Sequence, residues 1–168
     1  MKGVEMLHFG FTVHRPVRWL ATVTLVILSA VAIGMAEASP STATDCRKGA
    51  HGFARTPLAT PDGKTVRSAA LPIDRPVTVE VRSGTFGGAE RGWARISGAT
   101  SRTDILWLDW TRDGGRTWIR CGPFDIGRDD VAWQTPAQRV AADPMWRFRA
   151  CGAAVARDGH LNACTSWW

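Results

Sequence analysis

Short stretches in which hydrophobic and polar residues alternate recur along the chain, separated by glycine, proline and Asp-Gly pairs. The clearest is residues 76–82 (PVTVEVR), whose three valines fall on one side of an extended chain. Residues 92–96, 104–110 and 116–121 are β-rich in the same way, and residues 145–151 and 160–165 flank a turn at 157–159 as a hairpin would. A period of two residues predicts antiparallel strands.

One stretch departs from this pattern and predicts a short helix. Thr135-Pro136-Ala137-Gln138 combines a cap residue, a proline at the first helical position and a glutamine three residues after the cap. Asp143-Pro144 would end this helix after about two turns. We therefore expect an all-β chain: a compact antiparallel β-sandwich or barrel with one short helix, stapled by two disulfides.

The first 38 residues have the features of an export signal. Three basic residues precede an uncharged run at 19–36, and Ala36-Glu37-Ala38 gives the small-x-small pattern of a signal peptidase site. An uncleaved membrane anchor is the alternative, because a run of this length lies at the lower limit for spanning a bilayer. We expect cleavage before Ser39, and hence a secreted, extracellular protein.

The expected organisation has three parts: a signal peptide at residues 1–38, a partly ordered polar leader and arm at 39–75, and an antiparallel β domain at 76–168. A chain of 168 residues is too short for a TIM barrel, a full dinucleotide-binding enzyme or a multi-blade propeller. A single small domain is what remains.

The four cysteines all follow the predicted signal, at Cys46, Cys121, Cys151 and Cys164. An even number of cysteines in an exported chain favours disulfides, and the absence of a C-x-x-C motif argues against a zinc ribbon. Three pairings are possible. We prefer Cys151–Cys164, because the two flank the predicted hairpin turn almost symmetrically, and this leaves Cys46–Cys121 by elimination.

Residues 111–118 (TRDGGRTW) match the Asp-box pattern Ser/Thr-x-Asp-x-Gly-x-Thr-Trp at every defined position: Thr111, Asp113, Gly115, Thr117 and Trp118. The pattern is typical of a hairpin turn, in which a short Asp side chain accepts backbone N–H bonds and glycine supplies a positive φ. Sialidases carry several copies on a propeller, and this chain has one. The motif therefore predicts a structural turn and no activity.

Several segments of the chain resemble small secreted proteins of high-GC actinobacteria that carry a single Asp-box and a C-terminal Cys-Thr-x-Trp-Trp motif. These segments are WARI at 93–96, WLDW at 107–110, the Asp-box, CGPF at 121–124, FRACG at 148–152 and CTSWW at 164–168. The resemblance covers roughly residues 77–168. It implies export and a β fold, and it implies no activity and no catalytic residue.

Arginine and tryptophan are the candidate binding residues. The chain carries a formal net charge of +6, which favours anionic partners, although the arginines are scattered. Arg147 and Arg149 share one strand face, which is either an anion-facing patch or a solvated surface.

Four tryptophans at predicted strand positions are expected to fill the core: Trp93, Trp107, Trp118 and Trp146. Trp167 and Trp168 either clamp the sheet edge or form an exposed binding tip.

These features predict a secreted, non-catalytic β-module that binds an extracellular glycan or anionic polymer. The sequence predicts no catalytic residue, cofactor or metal site, no membrane partner after signal cleavage, and no nucleic-acid partner. One alternative is a small basic secreted hydrolase, either a glycosidase or a nuclease that would use Glu80, Arg82 and His160. A domain that binds or inhibits another protein is the second alternative.

Overall fold

A computed structural model describes residues 39–57, 63–156 and 159–168 of this chain. These residues form two sheets, with one short helix and a short 3-10 turn at Ala50–Gly52 before them. The elements are β1 (Ser39–Ser41), α1 (Ala43–Arg47), β2 (Lys64–Ala70), β3 (Val77–Phe86), β4 (Ala89–Gly98), β5 (Ile105–Thr111), β6 (Ile119–Asp125), β7 (Trp133–Gln134), β8 (Gln138–Arg139), β9 (Arg147–Ala156) and β10 (Gly159–Cys164). The predicted signal at residues 1–38 lies outside the described residues.

Each sheet contains five strands. The first has the order β1-β6-β5-β9-β10, in which only the β1–β6 pairing is parallel. The second has the order β2-β3-β4-β7, and β8 also pairs with β4. The described strands thus form two open sheets instead of a closed barrel, and the predicted antiparallel all-β class is confirmed.

Alternation along the strands decides which side chains enter the core between the sheets. Val77, Val79 and Val81 of β3 are buried there, as their spacing predicts. On β5 the inward positions are Leu106, Leu108 and Trp110, which leaves Trp107 and Asp109 on the outer side of the first sheet.

The two sheets approach each other closely at Gly152 of β9. A Cβ atom at this position would lie 2.7 Å from Cγ1 of Val79 and 3.2 Å from the carbonyl oxygen of Ile105. A glycine is therefore needed where β9 packs against β3.

The N-terminal segment is anchored at two points. Thr42 and Asp45 form a capping box at the start of α1, and Cys46 in this helix is bonded to Cys121 of β6. Further along, the backbone of Ala54 forms a two-bond antiparallel bridge with Ala137. Ordered structure therefore begins well before residue 76, where the predicted β domain starts.

The predicted helix at residues 135–143 is wrong, because the short helix lies at Ala43–Arg47. The backbone N–H of Thr135 donates to the carbonyl of Ala94, and the N–H of Ala94 donates to the Thr135 hydroxyl at 3.0 Å. Gln138 then pairs with Gly92 in the sheet. Pairing with β4 therefore replaces the helical bonds that the cap-like residues suggested.

The closing hairpin and both disulfides are confirmed. Cys151 and Cys164 lie directly opposite each other on β9 and β10, with Cα atoms 4.0 Å apart. The Cα atoms of Cys46 and Cys121 are 5.6 Å apart. Residues 157 and 158 of the predicted turn lie outside the described part of the chain.

Candidate functional site

The 111–118 turn connects β5 to β6 and is held by Asp113. Its carboxylate accepts from the Thr117 N–H at 2.9 Å, from the Thr117 hydroxyl at 2.6 Å and from the Thr111 hydroxyl at 2.7 Å. These bonds, led by that from the Thr117 hydroxyl, hold the pKa of Asp113 well below its usual range. The carboxylate is thus occupied within the turn.

The C-terminal residues pack onto this turn and onto β9. Gly115 has φ +100°, and a Cβ atom there would lie 3.0 Å from Nε1 of Trp167. The rings of Trp167 and Trp118 meet edge-on with centroids 6.3 Å apart. The backbone N–H and C=O of Trp168 both bond with Phe148 at 2.9 Å. Both terminal tryptophans therefore lie against the sheet.

A row of three charged residues crosses the outer side of the first sheet. Arg120 of β6 and Arg149 of β9 lie directly opposite Asp109 of β5, one on each side. Nε of Arg120 is 3.1 Å from Oδ1 of Asp109, and Nη2 of Arg149 is 2.6 Å from Oδ2. The carboxylate is fully buried, so it fixes both guanidinium groups in place.

Indole rings flank both guanidinium groups. The Arg149 Cζ lies 4.5 Å from the Trp167 ring centroid and 5.2 Å from that of Trp118, and the Arg120 Cζ lies 5.0 Å from that of Trp107. These distances are within the range of cation–π attraction. We name this surface the arginine–tryptophan face, made of Trp107, Asp109, Trp118, Arg120, Arg147, Arg149 and Trp167.

The face carries more positive than negative charge. Arg147 lies two residues before Arg149 on β9 and donates from Nε to the carbonyl of Pro144 at 2.9 Å. Phe148, between them, points into the core. The residues that define the face thus contribute three guanidinium groups and one carboxylate. Arg147 and Arg149 flank the buried Phe148 on β9 and so lie on the other side of the strand.

The predicted core tryptophans divide between two environments. Trp93 is almost fully buried. Trp107 is also buried, but in a small cluster on the outer side of the first sheet with Cys151 and Ala153. Trp118 is half-buried on the turn, and Trp146 packs partly buried against the main core.

Two of the three residues proposed for a nuclease, Glu80 and Arg82, lie close together on β3. Glu80 on β3 lies 3.9 Å from Arg82 and 3.0 Å from Arg95. His160 lies on β10 of the other sheet, and no hydrogen bond or ion pair joins it to Glu80 or Arg82 in the described structure. The described residues also contain no group of His, Cys, Asp and Glu side chains that could hold a metal ion.

Asp109 and Arg120 are members of the face that the sequence did not reveal as a site. The alternation in residues 104–110 places Asp109 on the same side as Trp107. A buried carboxylate in that position requires a cationic partner, which is the signal that could have found it.

None of the helices in the described residues is long and apolar enough to cross a membrane. Comparisons with protein-family models, with curated proteins and with solved structures find no match to this chain. The resemblance of residues 77–168 to small secreted actinobacterial proteins therefore stays a prediction.

Proposed function

We propose that this chain is a secreted, non-catalytic β-module that binds an anionic polymer or acidic glycan of its surroundings through the arginine–tryptophan face. The observation that carries this proposal is the pair of guanidinium groups, Arg120 and Arg149, held by one buried carboxylate between indole rings. A sheet face spanning three strands suits an extended ligand better than a small one.

The guanidinium groups keep donors for such a ligand. Each guanidinium carries five N–H donors, and Asp109 occupies only some of them. The side chains of Arg120 and Arg149 remain 36% and 23% exposed. Because stacking and ion pairing already restrict their rotamers, binding would cost less side-chain entropy than it does for free arginines.

Secretion is supported by the export features of residues 1–38 and by the two disulfides, which are typical of oxidising compartments. Intact-mass measurement of protein from the culture medium should give an N-terminus at Ser39. Retention of Met1 in a membrane fraction would contradict this part of the proposal.

Binding is tested by capture on cell-wall polysaccharide, peptidoglycan and nucleic acid at about 0.1 M and about 1 M salt, where the Debye length falls from about 10 Å to about 3 Å. We expect an acidic wall polymer to capture the protein and to capture less of it at high salt. The polymer should keep its length. Capture that salt leaves unchanged, or shortening of the polymer, would contradict the proposal.

Two variants separate the face from general charge. Arg147→Gln removes one charge, and Arg149→Lys keeps the charge but loses the planar group that stacks on Trp167. Both should reduce capture. The exposed residues Arg67 and Arg128 lie outside the face, so the Arg67→Gln/Arg128→Gln variant should bind like the wild type despite losing two charges.

A further inference from the structure

A cleft of about 520 Å³ opens between the N-terminal segment and β7. Arg47, Arg55 and Arg95 line it, together with Trp133 and Gln134, and it shares no residue with the arginine–tryptophan face. Its volume lies within the range of pockets that take small molecules. Three arginines that line one concave space predict an anionic ligand.

The backbones that carry two of these arginines are fixed by bonds elsewhere. Arg47 follows Cys46, which is bonded to Cys121, and its Cζ lies 4.9 Å from the Phe124 ring centroid. Arg55 follows Ala54, whose N–H and C=O both bond with Ala137 at 2.8 Å. Arg95 lies on β4. The three arginines therefore come from three separate parts of the fold.

Positive charge in the cleft is only partly neutralised. Arg95 pairs with Glu80, whose Oε2 lies 3.0 Å from Nη1. Within the described residues this is the only ion pair made by any of the three arginines. Glu80 does not line the cleft, and it also accepts a hydrogen bond from the Thr65 hydroxyl at 2.6 Å. This bond holds the carboxylate that pairs with Arg95.

The remaining lining suits a sugar ring. Trp133 supplies a half-buried indole, and Gln134 beside it supplies an amide that can both donate and accept. The Thr56 hydroxyl donates to the carbonyl of Thr135 at 2.8 Å and so fixes this wall. An apolar surface with a few convergent polar groups is the usual composition of a small-ligand site.

We propose that the cleft binds an acidic sugar, with its carboxylate or phosphate group among the three guanidinium groups and its ring against Trp133. This site is distinct from the polymer-binding face, and either one can fail in experiment without the other. Its ligand is a single small acidic sugar in place of an extended chain.

Calorimetric titration of the full secreted chain with glucuronate, a hexose phosphate, glucose and inorganic phosphate tests the ligand class. Binding of either acidic sugar, at least about tenfold tighter than that of glucose and of inorganic phosphate, supports the proposal. The tighter of the two acids then identifies the anionic group. Glucose or inorganic phosphate binding as tightly as the acidic sugars would overturn it, as would no binding by either acid.

Matched variants test the location. Arg47 and Arg55 are exposed, so the Arg47→Gln/Arg55→Gln variant should fold normally and raise the Kd at least about tenfold. The Arg67→Gln/Arg128→Gln variant has the same net charge and should keep the wild-type Kd. In NMR spectra the ligand should shift the indole N–H signal of Trp133. This signal is assigned as the one that disappears in the Trp133→Phe variant. An unchanged Kd in the Arg47→Gln/Arg55→Gln variant, or a shift confined to Trp107, Trp118 and Trp167, would overturn the assignment.

Discussion

Asp109→Asn should destabilise the domain more than Asp125→Asn, the other carboxylate-to-amide change that β5 and β6 offer. The carboxylate is fully buried and accepts one N–H from Arg120 and two from Arg149. An amide at this position is neutral, and its NH₂ group would point donors at a guanidinium donor. The variant therefore breaks a buried ion pair by removing one partner, for which measured costs are about 3–5 kcal/mol.

The lower end of that range applies here, because both arginines keep part of their contact with water. We expect a loss of about 3 kcal/mol, which for a domain of this size lowers the Tm by about 10 °C. Thermal unfolding followed by circular dichroism measures it. The control is Asp125→Asn on β6, since Asp125 is exposed and the Tm should hardly change.

A double-mutant cycle with Arg149→Met isolates the contact. If the carboxylate holds Arg149, the two substitutions should be coupled by at least about 1 kcal/mol. An Asp109→Asn Tm equal to that of the Asp125→Asn control, or additive free energies in the cycle, would refute the view that Asp109 fixes the face.

Three further predictions concern the fold. Gly152→Val should cost about 1–3 kcal/mol in urea unfolding, because the new side chain would meet Val79 across the two sheets, and an unchanged midpoint would contradict this close approach. In the chain-entropy model, loss of Cys46–Cys121, which closes a 75-residue separation, should cost about 4.5 kcal/mol, against about 3 kcal/mol for Cys151–Cys164 across 13 residues. Urea unfolding of the two double Cys→Ser variants measures both losses. A larger loss of stability without Cys151–Cys164 than without Cys46–Cys121 would contradict the model. Because the folded-state pKa of Asp113 is lowered, its contribution to stability is present above the ordinary aspartate pKa of about 3.9 and is lost as the pH falls further. Asp113→Asn should therefore show a weaker decline in Tm below about pH 4 than the wild type, and parallel declines would contradict this.

The strands were predictable from the sequence because alternation is local information. Three valines at 77, 79 and 81 can only lie on one side of an extended chain, and that side proved to be the buried one. The Cys151–Cys164 bond was predictable for a related reason, since two cysteines equally distant from a turn meet across a hairpin.

The wrong helix shows where local information stops. A cap residue, a proline and a glutamine indicate that a helix could start at Thr135. They do not indicate which other part of the chain could form hydrogen bonds with the same backbone groups. In the structure the neighbouring strand β4 supplies these bonds through Ala94 and Gly92, some forty residues earlier in the sequence. A helix of two turns has little stability of its own, so pairing with the sheet is the more stable arrangement.

The full set of residues in the arginine–tryptophan face and in the cleft was beyond prediction for the same reason. The pairing of Asp109 with Arg120 and Arg149 depends on strand register, and a register shift between Leu106 and Leu108 displaces the β5–β6 pairing. No residue count along the chain gives that shift. The cleft depends on a segment near residue 55 reaching Ala137, a contact for which the sequence carries no short-range signal.

The 111–118 turn and the arginine–tryptophan face are connected by a continuous series of contacts. Asp113 holds the turn through Thr117, the turn places Gly115 and Trp118 against Trp167, and Trp167 stacks on the Arg149 guanidinium. Arg149 then shares Asp109 with Arg120 on the far strand. Asp113, whose carboxylate is fully occupied within the turn, thus helps to determine the geometry of the arginine–tryptophan face without belonging to it. Under the proposed function, substituting Asp113 should therefore weaken polymer capture, because it would displace Trp118 and Trp167 and with them the Arg149 guanidinium.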